Sequence, residues 1–203
     1  MKTLAVINPR SAGGRTGRDA QSIAQRLAEV TGPITVALTN APMDAARITT
    51  HALKDGYERV VAVGGDGTIN EVVNGFFQNG LPINPEAEFA LLNLGTGGDF
   101  RKTFEIEAGF DASLERIAGG RVRRIDVGRF SFVTADGKTG TRHFANIASF
   151  GMSGDVVDRV NRATLIKRFM GPFAYTWGSL MSLFRYKAKP VRLKIDTVFD
   201  EVV

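Results

Sequence analysis

Cysteine is absent from the 203 residues of the chain, which excludes disulfide staples, thiolate metal sites and a cysteine nucleophile. Histidine is nearly as scarce, with two residues, so a histidine-rich metal centre is not expected. Long apolar runs are missing too. The longest charge-free stretch, Phe169 to Phe184, falls short of the ~18 residues a membrane-spanning helix needs. The opening MKTLAVINPRSAGG has neither the apolar segment nor the small-residue cleavage site of a secretory signal. Glycine, by contrast, is abundant at 23 residues. Many of these glycines stand in short turns beside apolar runs, a pattern of tight strand-to-helix connections. With 43% hydrophobic and 23% charged residues, the composition is that of an ordinary globular protein, long enough for one domain and part of a second. A formal charge of +5 and a pI near 9.7 favour anionic partners. Nucleic acid is not expected among them, because the basic residues are not interleaved with a recognisable aromatic platform.

Residues 1–125 alternate β-branched runs with helical patterns. TLAVI (3–7), ITVAL (34–38), RVVAV (59–63) and EFALLNL (88–94) are candidate strands. Helical periodicity covers Arg18 to Val30, Met43 to Leu53 and Thr68 to Phe77. Strands separated by helical stretches of this length predict right-handed crossovers and a parallel sheet covered on both faces. Beyond about Gly120 the pattern changes. RRIDVGRFSF (123–132) and TRHFANIASF (141–150), joined by ADGKTG, read as a hairpin. Residues 126–203 are therefore expected to begin a β-rich second domain, cut short soon after the strand-like PVRLKID (190–196).

Three glycine turns fall at the ends of candidate parallel strands, where such sheets bind ligands. In GGDGTINEVVNG (64–75), glycines let backbone approach a phosphate closely, and the first N–H groups of the following helix face the anion. Thr68 with Glu71 three residues later has the spacing of a capping box. Asp66 would repel a phosphate, a conflict that a magnesium ion between them removes. NPRSAGG (8–14) offers Asn8, Arg10, Ser11 and its glycines, and LNLGTGGDFRK (92–102) offers Thr96 and Asp99. Together they predict a nucleotide crevice along one sheet edge.

Asn8-Pro9 with Gly13-Gly14, GGDGTINEVVNG and LGTGGDF, in this order and spacing, resemble the diacylglycerol kinase catalytic domain family. They are most similar to its bacterial branch of soluble lipid kinases, which is related to the sphingosine kinases. The similarity extends to FANIASFGMSGDVV (144–157). The resemblance implies an α/β fold, with a parallel-sheet nucleotide-binding domain of the NAD kinase/phosphofructokinase-like kind followed by the incomplete start of a β-sandwich. It also implies ATP and magnesium, with a lipid hydroxyl as phosphoryl acceptor in the cleft between domains. Carried over by position, the nucleotide contacts are Asn8, Thr39, Gly65, Asp66, Gly67, Thr68, Ile69, Asn70, Glu71 and Thr96. Asp66 is expected to act at the phosphates and the metal, and Asp99 on the acceptor side. Two departures stand out. Gly98 replaces the asparagine of the family's LGTGNDF, and the family's acidic general base is expected downstream of Val203.

From Val156 to Arg192 there are eight Lys or Arg and one acid, Asp158, around an apolar stripe that includes Phe169, Phe173, Trp177 and Phe184. Such a segment either fills a domain core or rests on acidic headgroups. A cytoplasmic location with peripheral contact at the inner membrane face is expected. NAD kinase, which also uses GGDGT, and a non-catalytic nucleotide-binding module are the alternatives. NPRSAGG and LGTGGDF favour the lipid kinases over the first.

Overall fold

A computed structural model describes residues 1–95, 98–134, 136–149, 154, 190–195 and 198–202. Of the basic, apolar-striped segment from Val156 to Arg192, residues 156–189 lie outside the described residues. Contacts divide the chain into two compact units, Met1–Ile147 and Ala148–Val203.

The first unit is built on four parallel strands, β1 (Thr3–Ile7), β2 (Ile34–Leu38), β3 (Arg59–Gly64) and β6 (Glu88–Asn93), in the order β2-β1-β3-β6. Their register runs without a bulge from Thr3↔Arg59 to Ile7↔Val63 and from Arg59↔Glu88 to Gly64↔Asn93. At the start of the second pair an Arg59–Glu88 ion pair of 2.7 Å fixes the alignment. The central strands read as continuous apolar runs because both faces are covered, as parallel sheets require. Leu4, Val6, Val60, Ala62 and Leu91 face one side, where Ala52 and Leu53 of α3 (Asp44–Lys54) and Ile69 and Val72 of α4 (Asp66–Gly75) pack. Ala5, Ile7, Val61, Val63 and Leu92 face the other, against Ile23 and Leu27 of α2 (Ala20–Thr31) and Leu114 and Ile117 of α6 (Phe110–Ala118). Each fully buried aliphatic side chain stabilises the fold by about 1.5–3 kcal/mol relative to exposure.

Before α2 stand a 3₁₀ turn (Ser11–Gly14) and the single-turn α1 (Arg15–Arg18). Two strands of two residues, β4 (Phe77–Gln78) and β5 (Leu81–Pro82), form a minimal hairpin after α4. The short α5 (Asp99–Thr103) follows β6. The predicted hairpin is present as β7 (Gly128–Val133) and β8 (Thr139–Phe144), paired antiparallel. It lies within the first compact unit and hydrogen-bonds to α4. Asn74 Nδ2 donates to the His143 carbonyl at 2.9 Å, and the His143 N–H donates to Asn74 Oδ1 at 2.9 Å. In the second unit, β9 (Arg192–Ile195) and β10 (Phe199–Val202) pair antiparallel, with Arg192 forked on Asp200 at 2.7 and 2.9 Å. Among the described residues no helix is long and apolar enough to cross a membrane.

Candidate active site

Strand order reverses between β1 and β3: β2 lies on the far side of β1, and β6 on the far side of β3. Loops leaving the carboxyl ends of β1 and β3 therefore diverge, and the crevice between them is the place where open α/β sheets bind ligands. The turns after β1, β3 and β6 all start at this edge.

The turn after β3 is held from several directions. Gly65, with extended backbone (φ −98°, ψ −173°), precedes α4, which starts at Asp66. The first helical bond at this end runs from Ile69 N to Gly65 O at 3.1 Å. The N–H groups of Asp66, Gly67 and Thr68 thus have no acceptor within the helix, as at every helix start. Gly67 is exposed, and a side-chain carbon there would touch nothing within 4 Å. The capping box expected from Thr68 and Glu71 does not form, because the helix begins two residues before Thr68. Thr68 Oγ1 instead accepts from Asn8 Nδ2 at 3.0 Å, tying the turn after β1 to α4. Glu71 Oε2 accepts from Ala45 N at 3.2 Å, in the first turn of α3.

The remaining expected contacts are placed as follows. Asn8 also accepts from Arg10 N through Oδ1 at 3.0 Å, closing its own turn. Thr39 is buried and its N–H donates to the Ile7 carbonyl at 3.0 Å, extending the β1–β2 pairing to the same edge. Ile69 lies in the core at 2% exposure, and Asn70 Nδ2 reaches the His143 carbonyl at 3.3 Å. Ile69 is thus buried, while the side chains of exposed Asn70 and half-buried Glu71 are each engaged by a backbone partner. Thr96 lies outside the described residues.

Asp66 has partners that no local pattern announces. Its Oδ2 accepts from Gly98 N at 2.9 Å and Asp99 N at 3.4 Å, and its Oδ1 accepts from Phe100 N at 3.3 Å. These are the uncapped N–H groups of α5, whose own N-cap, Gly98, offers no side chain. Asp99 itself points outward, 65% exposed and paired with Lys102 at 3.2 Å. Below these contacts the two loops meet backbone to backbone: a carbon added to Gly95 would lie 2.5 Å from the Gly65 Cα. Asn93, at the end of β6, accepts from Gly95 N through Oδ1 at 3.0 Å, while its buried Nδ2 has no partner among the described residues. Asn93 was not among the expected residues, although an asparagine between a strand and a glycine turn is a visible cue.

Among the described residues no three acidic or histidine side chains converge as a metal cage. Asp66 Oδ1, which accepts one hydrogen bond, still has a lone pair to offer. A magnesium ion, which takes few protein ligands and keeps phosphates and waters, fits this single carboxylate.

Comparison with known proteins identifies the family. The family model for the diacylglycerol kinase catalytic domain matches residues 2–130. The chain belongs to the diacylglycerol kinase catalytic domain family. Among its curated relatives, the diacylglycerol kinase of Staphylococcus saprophyticus is 29% identical over 159 residues, 78% of this chain and 46% of that protein. The diacylglycerol kinase of Staphylococcus aureus strain MRSA252 is 27% identical over 191 residues, 94% of this chain and 56% of that protein. The chain thus spans about half the length of the curated relatives it matches. A crystal structure of a diacylglycerol kinase from Bacillus anthracis has the same fold, with a TM-score of 0.66 and 22% identity over 99% of this chain and 61% of that one. The family match covers all three glycine turns and ends within β7 of the hairpin.

Proposed function

We propose that this chain is the nucleotide-binding portion of a lipid kinase that transfers the γ-phosphate of ATP to a hydroxyl of diacylglycerol or a related lipid. The supporting observation is the start of α4. Three first-turn N–H groups without a helical acceptor stand at the sheet's switch point, beside an exposed Gly67 that leaves room for a ligand. Such a terminus receives a polyanion through its amides and its dipole. Asp66, Gly67 and Thr68 are the residues whose amides would meet the phosphates. Asn8, Thr39 and Gly65 would line the same wall, with Thr96 assigned to it by its position in the family motif alone, and Ile69, Asn70 and Glu71 hold α4 against the core, the hairpin and α3. Asp66 Oδ1 would hold magnesium, which supplies charge neutralisation during phosphoryl transfer. Asp99, exposed at the start of α5, would serve the acceptor side. Positioning and electrostatics are what this class of reaction asks of a protein. Lipid acceptors also suggest peripheral contact with an acidic membrane surface, to which the basic segment 156–192 is suited. A division into a nucleotide domain at 1–125 and a lipid-binding domain from 126 belongs to the same proposal.

The test is phosphoryl transfer from labelled ATP by the intact protein, offered diacylglycerol, phosphatidylglycerol, sphingosine and NAD in turn. A phosphorylated lipid is expected, with turnover lowered roughly a hundredfold or more in Asp66→Ala. Phosphorylation of NAD alone, or unchanged turnover in the variant, would sink the assignment.

A further inference from the structure

We infer that Asp66 is a positioning residue, whose carboxylate holds the loop after β6 and the start of α5 against the glycine turn after β3. The inference deepens the kinase proposal, because it links the phosphate side of the crevice to the side where Asp99 stands. Helix α5 has five residues and a glycine N-cap in the left-handed region (φ +67°) with no capping side chain. Its first N–H groups would ordinarily be left to water. Here Asp66, 32 to 34 residues away in sequence, accepts all three, from Gly98, Asp99 and Phe100. A carboxylate at a helix N-terminus is favourable both as hydrogen-bond acceptor and as charge. The same residue is the first of α4, so one side chain joins the starts of two helices. The Gly65–Gly95 backbone contact lies beside it and leaves the loops no side chain to slide on. Moving α5, and with it Asp99, away from the phosphate loop requires breaking the Asp66 bonds first. The negative charge next to an anion site therefore has a role independent of any metal.

Amide hydrogen exchange reads this directly. In the unaltered protein the amides of Gly98, Asp99 and Phe100 should exchange at least about tenfold more slowly than free helix-start amides, and free-chain rates there would overturn the inference. In Asp66→Asn, which cannot accept at both oxygens, that protection should fall about tenfold while β3 amides keep theirs. Retained protection at all three would also overturn it. Turnover adds a second readout: the acceptor KM of Asp66→Asn should rise more than the dissociation constant for metal-free ATP. The reverse order would assign Asp66 to the phosphates alone. Absence of any lipid product in the unaltered protein would refute the kinase proposal, while the exchange result would still decide the clasp.

Discussion

The glycine turns after β3 and β6 look alike in sequence, GGDGT and GTGGD, yet they are supported in different ways. The first opens a ten-residue helix that is buried along one side and anchored at its far end by Asn74 on the His143 backbone. The second opens a five-residue helix whose N-terminus is capped from outside, by Asp66 of the first turn. A long amphipathic helix can hold its own loop through tertiary packing, whereas a single turn of helix is marginal alone and needs a partner. The asymmetry places the fold's rigidity at the turn after β3 and makes the turn after β6 dependent on it.

Substitutions can break or sharpen this contrast. The largest effect is expected at the loop contact. In Gly95→Ala the new carbon would lie 2.5 Å from the Gly65 Cα, whereas in Gly65→Ala it would lie 3.3 Å from the Gly95 Cα. Overpacking of that kind costs about 1–3 kcal/mol, so denaturant titration should find Gly95→Ala clearly less stable than Gly65→Ala. Equal losses would mean that the closeness of approach at this contact does not set the cost. A smaller effect is expected at Gly98, where positive φ costs an ordinary residue about 1–2 kcal/mol. Gly98→Ala should lose about that much. Gly98→Asn should lose less, because asparagine tolerates the conformation and a carbon there lies 3.5 Å from the buried Asn93 Nδ2, which has no partner among the described residues. Finding the two variants equally stable would remove Asn93 from the support of this loop.

The smallest effect concerns the anchor of the first turn. His143 is buried, stacked on Phe77 at 4.2 Å, and burial together with the nearby Arg129 holds its pKa below the ordinary histidine value. The folded chain thus keeps His143 neutral to lower pH than the unfolded chain does. Its contribution is present above the unfolded value of about 6.5 and is lost as pH falls from there through the folded value. Thermal melts between pH 8 and pH 5 should fall less steeply in His143→Phe than in the unaltered protein. The difference should be under about 1 kcal/mol after solvent screening. Parallel curves would show that His143 does not titrate across folding.

Much of the scaffold was legible because its signals are local. TLAVI and RVVAV became β1 and β3, since strands buried on both faces are continuous apolar runs, and ITVAL became the half-exposed edge strand β2, legible from its β-branched residues. The Asn79-Gly80 turn, with φ of 52° and 80°, joins β4 to β5. Asn-Gly between two short apolar stretches is the local dipeptide signal of such a turn. The capping box at Thr68 and Glu71 misled because the spacing is present while the helix starts earlier. Neither hydroxyl nor carboxylate reveals in sequence that its partner is Asn8 or the Ala45 amide. Asp66 was singled out as anomalous, but its partners are backbone N–H groups 32 to 34 residues on. A backbone amide carries no side-chain signature, so no pattern in the sequence could point to them.

The meeting of Gly65 with Gly95 has a consequence for how such a crevice changes over time. Where main chain rests on main chain, there is no side chain to vary, and the smallest addition pushes the two loops apart. That part of the crevice can be kept or lost but not tuned. Any drift in what the crevice accepts has to arise on its walls: the Asn8 turn, the segment around Thr39, and the first turn of α5.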